Sequence, residues 1–533
     1  WFGYAGTTAG MILGESAYYL SIGLFLLFLA GFIVWLVCLS RYFHRRSLTI
    51  SASFPFWKRG VVVLVGACLI GLCIFGIRGR TGYNPIKVSA AYFCQDAFLN
   101  QLGVSPTFNL LTSVMDDMRP ENKYLHLMDE QEAITKAQAL LNRQGEVAVS
   151  PLAVYRHASK ADSVQQGRPN VVLIMMESMS SKLMKHFGQS ETLTPFLDSL
   201  YTRSISFRNF YSAGIHTNHG LYATLYSFPA MMKRNLMKGS VIPRYSGLPT
   251  VLKENGYYNL FFMTHEGQYD NMNAFFRTNG YDEVFSQENY PADKVVNSFG
   301  VQDDFLYDYA IPVLNQRAAT GEPFFATLLS ISNHPPYVIP PFFHPKTSEP
   351  ETQIVEYADW ALRKFFEEAR KQPWFDNTIF VLEGDHGKLV GDAECELPES
   401  YNHIPLMIYS SRIHPEEKNT FGGQVDIQPT ILGLLNIDYL QNNFGVDLLK
   451  EERPCMFYTA DNMIVGRNDT LLYLYNYETQ QEFTYHIDNG KLKAVPMDDR
   501  FLPLKEYSFS MLQSAEFLVK HGKTVNSVPF TQQ

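Results

Sequence analysis

The sequence predicts an α/β protein behind two N-terminal transmembrane helices: a mostly parallel sheet flanked by helices, followed by a small C-terminal antiparallel subdomain. Three observations predict it. Two long uncharged apolar runs precede residue 80. Wholly apolar, strand-length runs then alternate with helical stretches from residue 170 to about 409. Short strand-like stretches around a turn signal fill residues 471–495. The expected boundaries are 1–80 for the transmembrane region, 81–165 for a juxtamembrane helical linker, 166–450 for a catalytic domain and 451–533 for the C-terminal sheet.

The chain has 533 residues, enough for two or three domains. Charged residues make up 18%, below the roughly 25% of soluble domains, so an uncharged segment must lower the average. Residues 16–40 hold 25 positions without a charge, and residues 60–77 hold 18 more, rich in Val, Leu and Ile. Each run can cross a hydrocarbon core of about 30 Å as a helix, with spans expected at about 17–39 and 60–77. Two runs, with no cleavage-like site after either, fit a signal peptide poorly. Residues 1–14 are uncharged and Gly-rich, and the chain opens on Trp1 rather than Met. The expectation is therefore that it begins inside a longer protein.

Between the runs lie Arg41, Arg45, Arg46, Lys58 and Arg59 and no acid, whereas only Glu15 charges the preceding segment. By the positive-inside rule this loop is cytoplasmic and the long C-terminal part lies outside, although Arg78, Arg80 and Lys87 pull the other way. The net charge of −9 excludes the basic excess of a nucleic-acid binder, and 14% aromatic residues exclude disorder. No internal period marks a repeat architecture. Cys38, Cys68 and Cys73 sit in the apolar runs, leaving Cys94, Cys395 and Cys455 with room for at most one disulfide.

Residues 129–142 (DEQEAITKAQALLN) read as an amphipathic helix with acids in its first turn, and 165–169 (QQGRP) as a break. Residues 170–176 (NVVLIMM) form a continuous apolar run, as a strand buried on both faces of a parallel sheet requires. Runs at 258–264, 324–330, 378–382 and 404–409 repeat it, with a helical pattern at 351–371. Residues 471–477, 482–487 and 491–495, with Asp488-Asn489-Gly490 as a turn, give the C-terminal meander.

Ligand sites in open parallel sheets form beyond the carboxyl ends of the strands. There this sequence places Glu177, then His265 and Glu266, then His334, then Asp385 and His386. Converging carboxylates and imidazoles are what a divalent metal needs. A single such residue is more often structural, and Asp-Gly pairs favour turns in any case; four strand ends together favour a site. Gly384 and Gly387 flank the Asp-His pair and would allow tight turns. Thr217, in GIHTNHG (214–220), precedes a helix-like stretch and would sit at its N-terminus, where an alkoxide or phosphate is favoured. A metal on its oxygen would make it a nucleophile; the plain alternative is an N-cap threonine, and Ser212 is the weaker alternative nucleophile.

Glu177, the Thr217 loop and EGDHG at 383–387 resemble the alkaline phosphatase/sulfatase superfamily. With two preceding spans, the chain is similar to the lipoteichoic acid synthases, membrane-anchored phosphoglycerol transferases. The resemblance covers about residues 60–450 and rests on 170–178, 217–229, 332–337, 383–387 and the VDIQPTIL stretch at 425–432. It implies an alkaline-phosphatase-like fold and one divalent metal, Mn²⁺ before Zn²⁺, held by Glu177, Thr217, Asp385 and His386. Thr217 would be the nucleophile, and His334 and His265 would lie near the substrate head group and assist catalysis. It also implies a bacterial cytoplasmic membrane location with the catalytic domain outside, a phospholipid donor, and an extracytoplasmic glycan, lipid or polymer acceptor.

Two departures stand out. A Trp-Asn-Arg stretch, whose Arg holds phosphate in the lipoteichoic branch, is replaced at 269–273 by YDNMN, with Arg277 nearby but out of register. His403, before Ile404-Pro405, is similar instead to phosphoethanolamine transferases, which use zinc. Arg277 and His403 therefore join the expected substrate-binding residues. Sulfatase activity proper is disfavoured, because no Cys lies between Cys94 and Cys395 and residues 212–220 lack a Cys/Ser-x-Pro-x-Arg motif. Three readings follow: a head-group transferase, a phosphodiesterase or sulfatase-like hydrolase, and a non-catalytic receptor on the same fold. The intact Glu177/Thr217/Asp385/His386 set speaks against the third.

Overall fold

A computed structural model describes residues 19–525, apart from 51–54, 82–84, 95, 120–121, 144–148, 150, 158–166, 240–241 and 489. Residues 1–14, the start of the break at 165–169 and Asn489 of the expected turn lie outside the described residues. The chain forms two compact units, residues 1–87 and 88–533.

The first unit contains helices Tyr19–Ile50 and Phe56–Arg78. Within them, Gly23–Arg46 and Phe56–Arg78 are long and apolar enough to cross a membrane. The first helix runs past the uncharged stretch to Ile50, so Arg41, Arg45 and Arg46 sit on helix rather than in a loop. Helical backbone satisfies its own hydrogen bonds, so a change from apolar to basic side chains does not end it. The second helix ends at Gly79, which takes φ +77° and returns its N–H to Phe75 O at 3.0 Å.

In the second unit β1 (Val154–Arg156) precedes the main sheet. That sheet comprises β2 (Asn170–Met176), β3 (Ile205–Tyr211), β4 (Tyr258–Met263), β5 (Glu283–Phe285), β6 (Phe324–Leu329), β7 (Thr378–Gly384), β8 (Leu406–Tyr409) and β9 (Glu416–Gly423). Their spatial order is β5-β4-β6-β2-β7-β8-β3-β9. All neighbours pair in parallel except β8, which is antiparallel to both β7 and β3. Alternate residues of β2 feed two cores: Val171, Leu173 and Met175 on one face, Val172, Ile174 and Met176 on the other. That is why its sequence is apolar without alternation. Because β2, β3, β4, β6 and β7 run the same way, their carboxyl ends share one edge of the sheet.

β10 (Tyr439–Gln441) pairs with β1. The C-terminal sheet, β11 (Met456–Thr459), β12 (Met463–Arg467), β13 (Leu471–Asn476), β14 (Gln481–Asp488) and β15 (Lys491–Ala494), is a five-stranded antiparallel meander. Helix Leu502–Lys520 packs on β11 and β12 and against helix Glu130–Leu141. Gln513 Oε1 accepts the Leu127 N–H at 2.7 Å, and Lys520 reaches Glu130 at 2.7 Å. The 88–157 segment thus belongs to the second unit. All six cysteines are free, so no disulfide forms.

Candidate metal centre and nucleophile

Register places the acids. Met176 pairs with Gly384 across β2 and β7, so Glu177 and Asp385 emerge side by side at the carboxyl edge. The Asp385 N–H donates to Met176 O at 3.0 Å. Asp385 Oδ1 accepts two backbone N–H groups, from Ser178 at 2.8 Å and His386 at 2.7 Å. Asp385 Oδ2 is buried with no hydrogen-bond partner. His386 Nδ1 donates to Gly387 O at 2.7 Å, and its Nε2 lies 3.7 Å from both Glu177 Oε1 and Asp385 Oδ2. Donor atoms of Glu177, Asp385 and His386 all lie within 4.8 Å of one another. Two buried carboxylates meeting at one point repel each other, and a cation shared with the imidazole nitrogen would offset that charge. Two bonds of about 2 Å to a shared ion span about 4 Å, close to this separation. Burial, then the Asp385 charge, pushes the Glu177 carboxyl well above its ordinary range. The residues present therefore fit one divalent cation.

Thr217 is the first residue of helix Thr217–Tyr226, which follows β3 after a short loop. Its Oγ1 donates to Glu177 Oε2 at 3.4 Å, so it joins the group. His216, not Thr217, is the N-cap, and no side chain caps the helix. The cap alternative for Thr217 is thereby corrected. Ser212 is fully buried and donates to Gly214 O at 2.8 Å, inside its own loop.

Glycine lets these segments approach. A Cβ on Gly220 would lie 2.2 Å from Asp385 O, so only glycine lets the Thr217 helix reach the end of β7. Gln424 locks the contact, accepting the Ala213 N–H at 2.9 Å and donating to Asp385 O at 2.7 Å. A Cβ on Gly387 would lie 2.0 Å from Ser400 O and one on Gly384 2.5 Å from Met179 O. Neither needs a left-handed backbone; space, not turn geometry, is what requires glycine at both.

His265 and His334 follow β4 and β6, whose carboxyl ends share the sheet edge of Glu177 and Asp385. His265 is buried, packs against Tyr269 with ring centroids 4.5 Å apart and planes tilted by 34°, and its Nδ1 has no hydrogen-bond partner. Burial holds its pKa down to about 4, so it is neutral at physiological pH. Burial, then the charges of Asp270, Glu177 and Asp385, push the Tyr269 hydroxyl up to about 12. His334 is part-exposed, packs on Phe299 at 4.1 Å and hydrogen-bonds Pro335 O at 2.6 Å. Two other expected substrate residues are engaged elsewhere. Arg277 donates to Asn273 Oδ1 at 2.8 Å and to Val284 O. His403 stacks on Tyr211 at 5.2 Å and hydrogen-bonds Arg208 O at 2.8 Å.

Other polar residues beside the site come from folding rather than motif. Asn218 donates to Asp270 Oδ2 at 3.1 Å, and Lys238 meets Asp270 Oδ1 at 2.8 Å. Asp270 and Asn271 take φ +45° and +67°, a region that Asp and Asn tolerate better than most residues. Lys388 donates to Asn333 Oδ1 at 2.7 Å, and Asn333 donates to the Glu177 and Ser178 carbonyls. Lys388, two residues past the Asp-His pair, was within reach of sequence reasoning; Lys238 carried no such signal.

Residues 169–437, just over half of the chain, match the sulfatase family. The chain belongs to that family. Lipoteichoic acid synthase 1 of Bacillus subtilis is 25% identical over 354 residues, 61% of this chain and 54% of that protein. The chain spans about half the length of the curated relatives it matches. A crystal structure of an alkaline phosphatase superfamily protein from Vibrio parahaemolyticus superposes with TM-score 0.67 at 25% identity, covering 76% of this chain and all of that one. The lipoteichoic acid synthase LtaP from Listeria monocytogenes gives TM-score 0.60 at 21% identity, covering 73% and 98%. The expected alkaline-phosphatase-like fold is thus the fold found. As a sulfatase-family member the chain still lacks the Cys/Ser-x-Pro-x-Arg loop, since residues 212–220 read SAGIHTNHG.

Proposed function

We propose that this chain is a membrane-anchored, metal-dependent transferase that moves a phosphoglycerol-type head group from a phospholipid to an extracytoplasmic acceptor through a phospho-Thr217 intermediate. One observation carries the reading: the Thr217 hydroxyl stands 3.4 Å from Glu177, whose carboxylate shares a cluster with Asp385 and His386 in which the donor atoms lie within 4.8 Å of one another. The similarity to lipoteichoic acid synthases supports the donor and acceptor classes. The two apolar helices support the membrane anchor, and the basic residues at 41–59 support a cytoplasmic connection with the catalytic unit outside.

A divalent ion, when bound, lowers the hydroxyl pKa and offsets charge on the phosphoryl oxygens. Carboxylates with one imidazole favour Mn²⁺ over Zn²⁺ somewhat. Thr217 Oγ attacks phosphorus as its proton passes to the ring of His334 or to the neutral ring of His265, the bond to the diacylglycerol oxygen breaks, and the same ring hands that proton to the leaving oxygen. In the second half the acceptor hydroxyl attacks the same phosphorus, releases Thr217 and returns the proton. Asn218 is held by Asp270, which fixes the first turn of the helix that aims Oγ. Incubating the purified protein with phosphatidylglycerol and phosphatidylethanolamine, with and without an acceptor, tests this. Diacylglycerol release that requires Thr217 supports transfer; free glycerol phosphate released without acceptor indicates a hydrolase, and selective use of phosphatidylethanolamine a phosphoethanolamine transferase.

A further inference from the structure

Helix Pro106–Asp117 turns its apolar side away from the protein. Leu111, Met115 and Met118, spaced i, i+4 and i+7, are 60%, 64% and 73% exposed, and Leu110 beside them is exposed as well. Ser113, on the opposite side of the wheel, is 6% exposed. The preceding helix, Ala97–Leu102, shows the same inversion. Leu99 and Leu102 are exposed, whereas Asn100 is 2% exposed, its side chain bonded to the Phe93 and Cys94 N–H groups and to Cys94 O. Phe93 is exposed too. Polar residues inside and large apolar residues outside cost free energy in water, and two successive helices repeat the pattern.

We propose that residues 93–118 lie in the interface of the bilayer that the apolar helices cross, with Phe93, Leu99, Leu102, Leu111, Met115 and Met118 inserted among the lipids. The proposal rests on the membrane anchor of the preceding reading and not on its transfer chemistry. Three observations favour lipid as the occupant. Only residues 79–92 separate the second apolar helix from Phe93 along the chain. Between Lys87 and Arg119 there is no basic residue, and the acids are Asp96, Asp116 and Asp117 only, so the apolar stripe carries no charge. An interfacial helix buries such a face about 5–10 Å into the headgroup boundary. Finally, the segment is fastened to the catalytic wall: Asn273 donates to Tyr92 O at 2.7 Å, and the turn Val88–Ala91 packs on helix Met272–Thr278, directly after Tyr269 and Asp270. Insertion would therefore fix the height of the Thr217 site above the lipid head groups.

The test uses the full chain in vesicles of phosphatidylglycerol and phosphatidylcholine containing a lipid with a doxyl quencher high on the acyl chain. A polarity-sensitive fluorescent amino acid is placed, one per protein, at Leu111, Met115, Val63 within the second apolar helix, and the exposed Glu191. The expected result is blue-shifted emission at Leu111 and Met115, loss of emission to doxyl lipid as at Val63, and shielding from aqueous iodide. Glu191 should show the reverse. If Leu111 and Met115 behave like Glu191 while Val63 is quenched by lipid, the interfacial helix is wrong and the anchor stands. Shielding from both quenchers would mean that protein covers the stripe, and also overturns the proposal. Absence of lipid quenching at Val63 itself would overturn the anchor and the proposal with it.

Discussion

Removing the Thr217 hydroxyl separates a small structural cost from a large chemical one. Its one long hydrogen bond and its place inside rather than capping the helix limit the stability loss of Thr217→Ala to about 1 kcal/mol. Loss of a covalent nucleophile should lower turnover by about a thousand-fold or more, while Thr217→Ser keeps a measurable fraction. Diacylglycerol release by each purified variant, beside its melting curve, checks both. Asp385→Asn should drop bound metal well below one equivalent by elemental analysis, because the amide weakens a ligand whose second oxygen has no other partner. Gly220→Ala should lose metal and activity together, since the new Cβ meets Asp385 O and pushes the Thr217 helix away. The acids, His386 and Thr217 were legible because chemistry-bearing residues follow apolar strands at one edge of the sheet. Lys238 and Asp270 were not, because they meet only where two loops converge. His403 was legible as a motif neighbour, yet its ring serves an aromatic stack with Tyr211.

Among the elements, the VDIQPTIL stretch shows how a motif can belong to the fold. Its Asp426 is fully buried and takes a bidentate contact from Arg453, which also donates to the Tyr507 hydroxyl and Phe444 O. This clamp joins helix Ile427–Leu434, the entry to β11 and helix Leu502–Lys520. Removing one partner strands the other charge in the interior, so Asp426→Asn should destabilise the second unit by about 3–5 kcal/mol, read from chemical denaturation. The buried strands β2, β6 and β7 were legible because burial on both faces demands an unbroken apolar run. Edge strand β9 was not: its sequence, EEKNTFGG, exposes most of its first half and lacks that signature. The antiparallel direction of β8 likewise leaves no mark in six apolar residues. Helix Leu502–Lys520 hides its pattern because Ser508, Ser510, Gln513, Ser514 and Glu516 are buried along with its apolar residues.

For the whole molecule, charge sets the expected topology. By the positive-inside rule, the basic residues at 41–59 without an acid would put that segment in the cytoplasm and residues 80–533 outside. A cysteine introduced at Lys371, on the exposed surface of the second unit, should react with a membrane-impermeant maleimide in intact cells, and one at Ser47 only after permeabilisation; the opposite pattern would invert the protein. The two long apolar helices were legible from length and hydropathy alone, whereas the outward apolar side of the helix at 106–117 needed side-chain exposure to be seen. The central claim is covalent catalysis at Thr217, and peptide mass spectrometry of the purified chain after brief incubation with phosphatidylglycerol and Mn²⁺ tests it most directly. Covalent catalysis predicts a glycerol-phosphate adduct confined to Thr217, absent from Thr217→Ala and discharged on adding acceptor. Turnover with Thr217 unmodified, or an adduct on another residue, would contradict it.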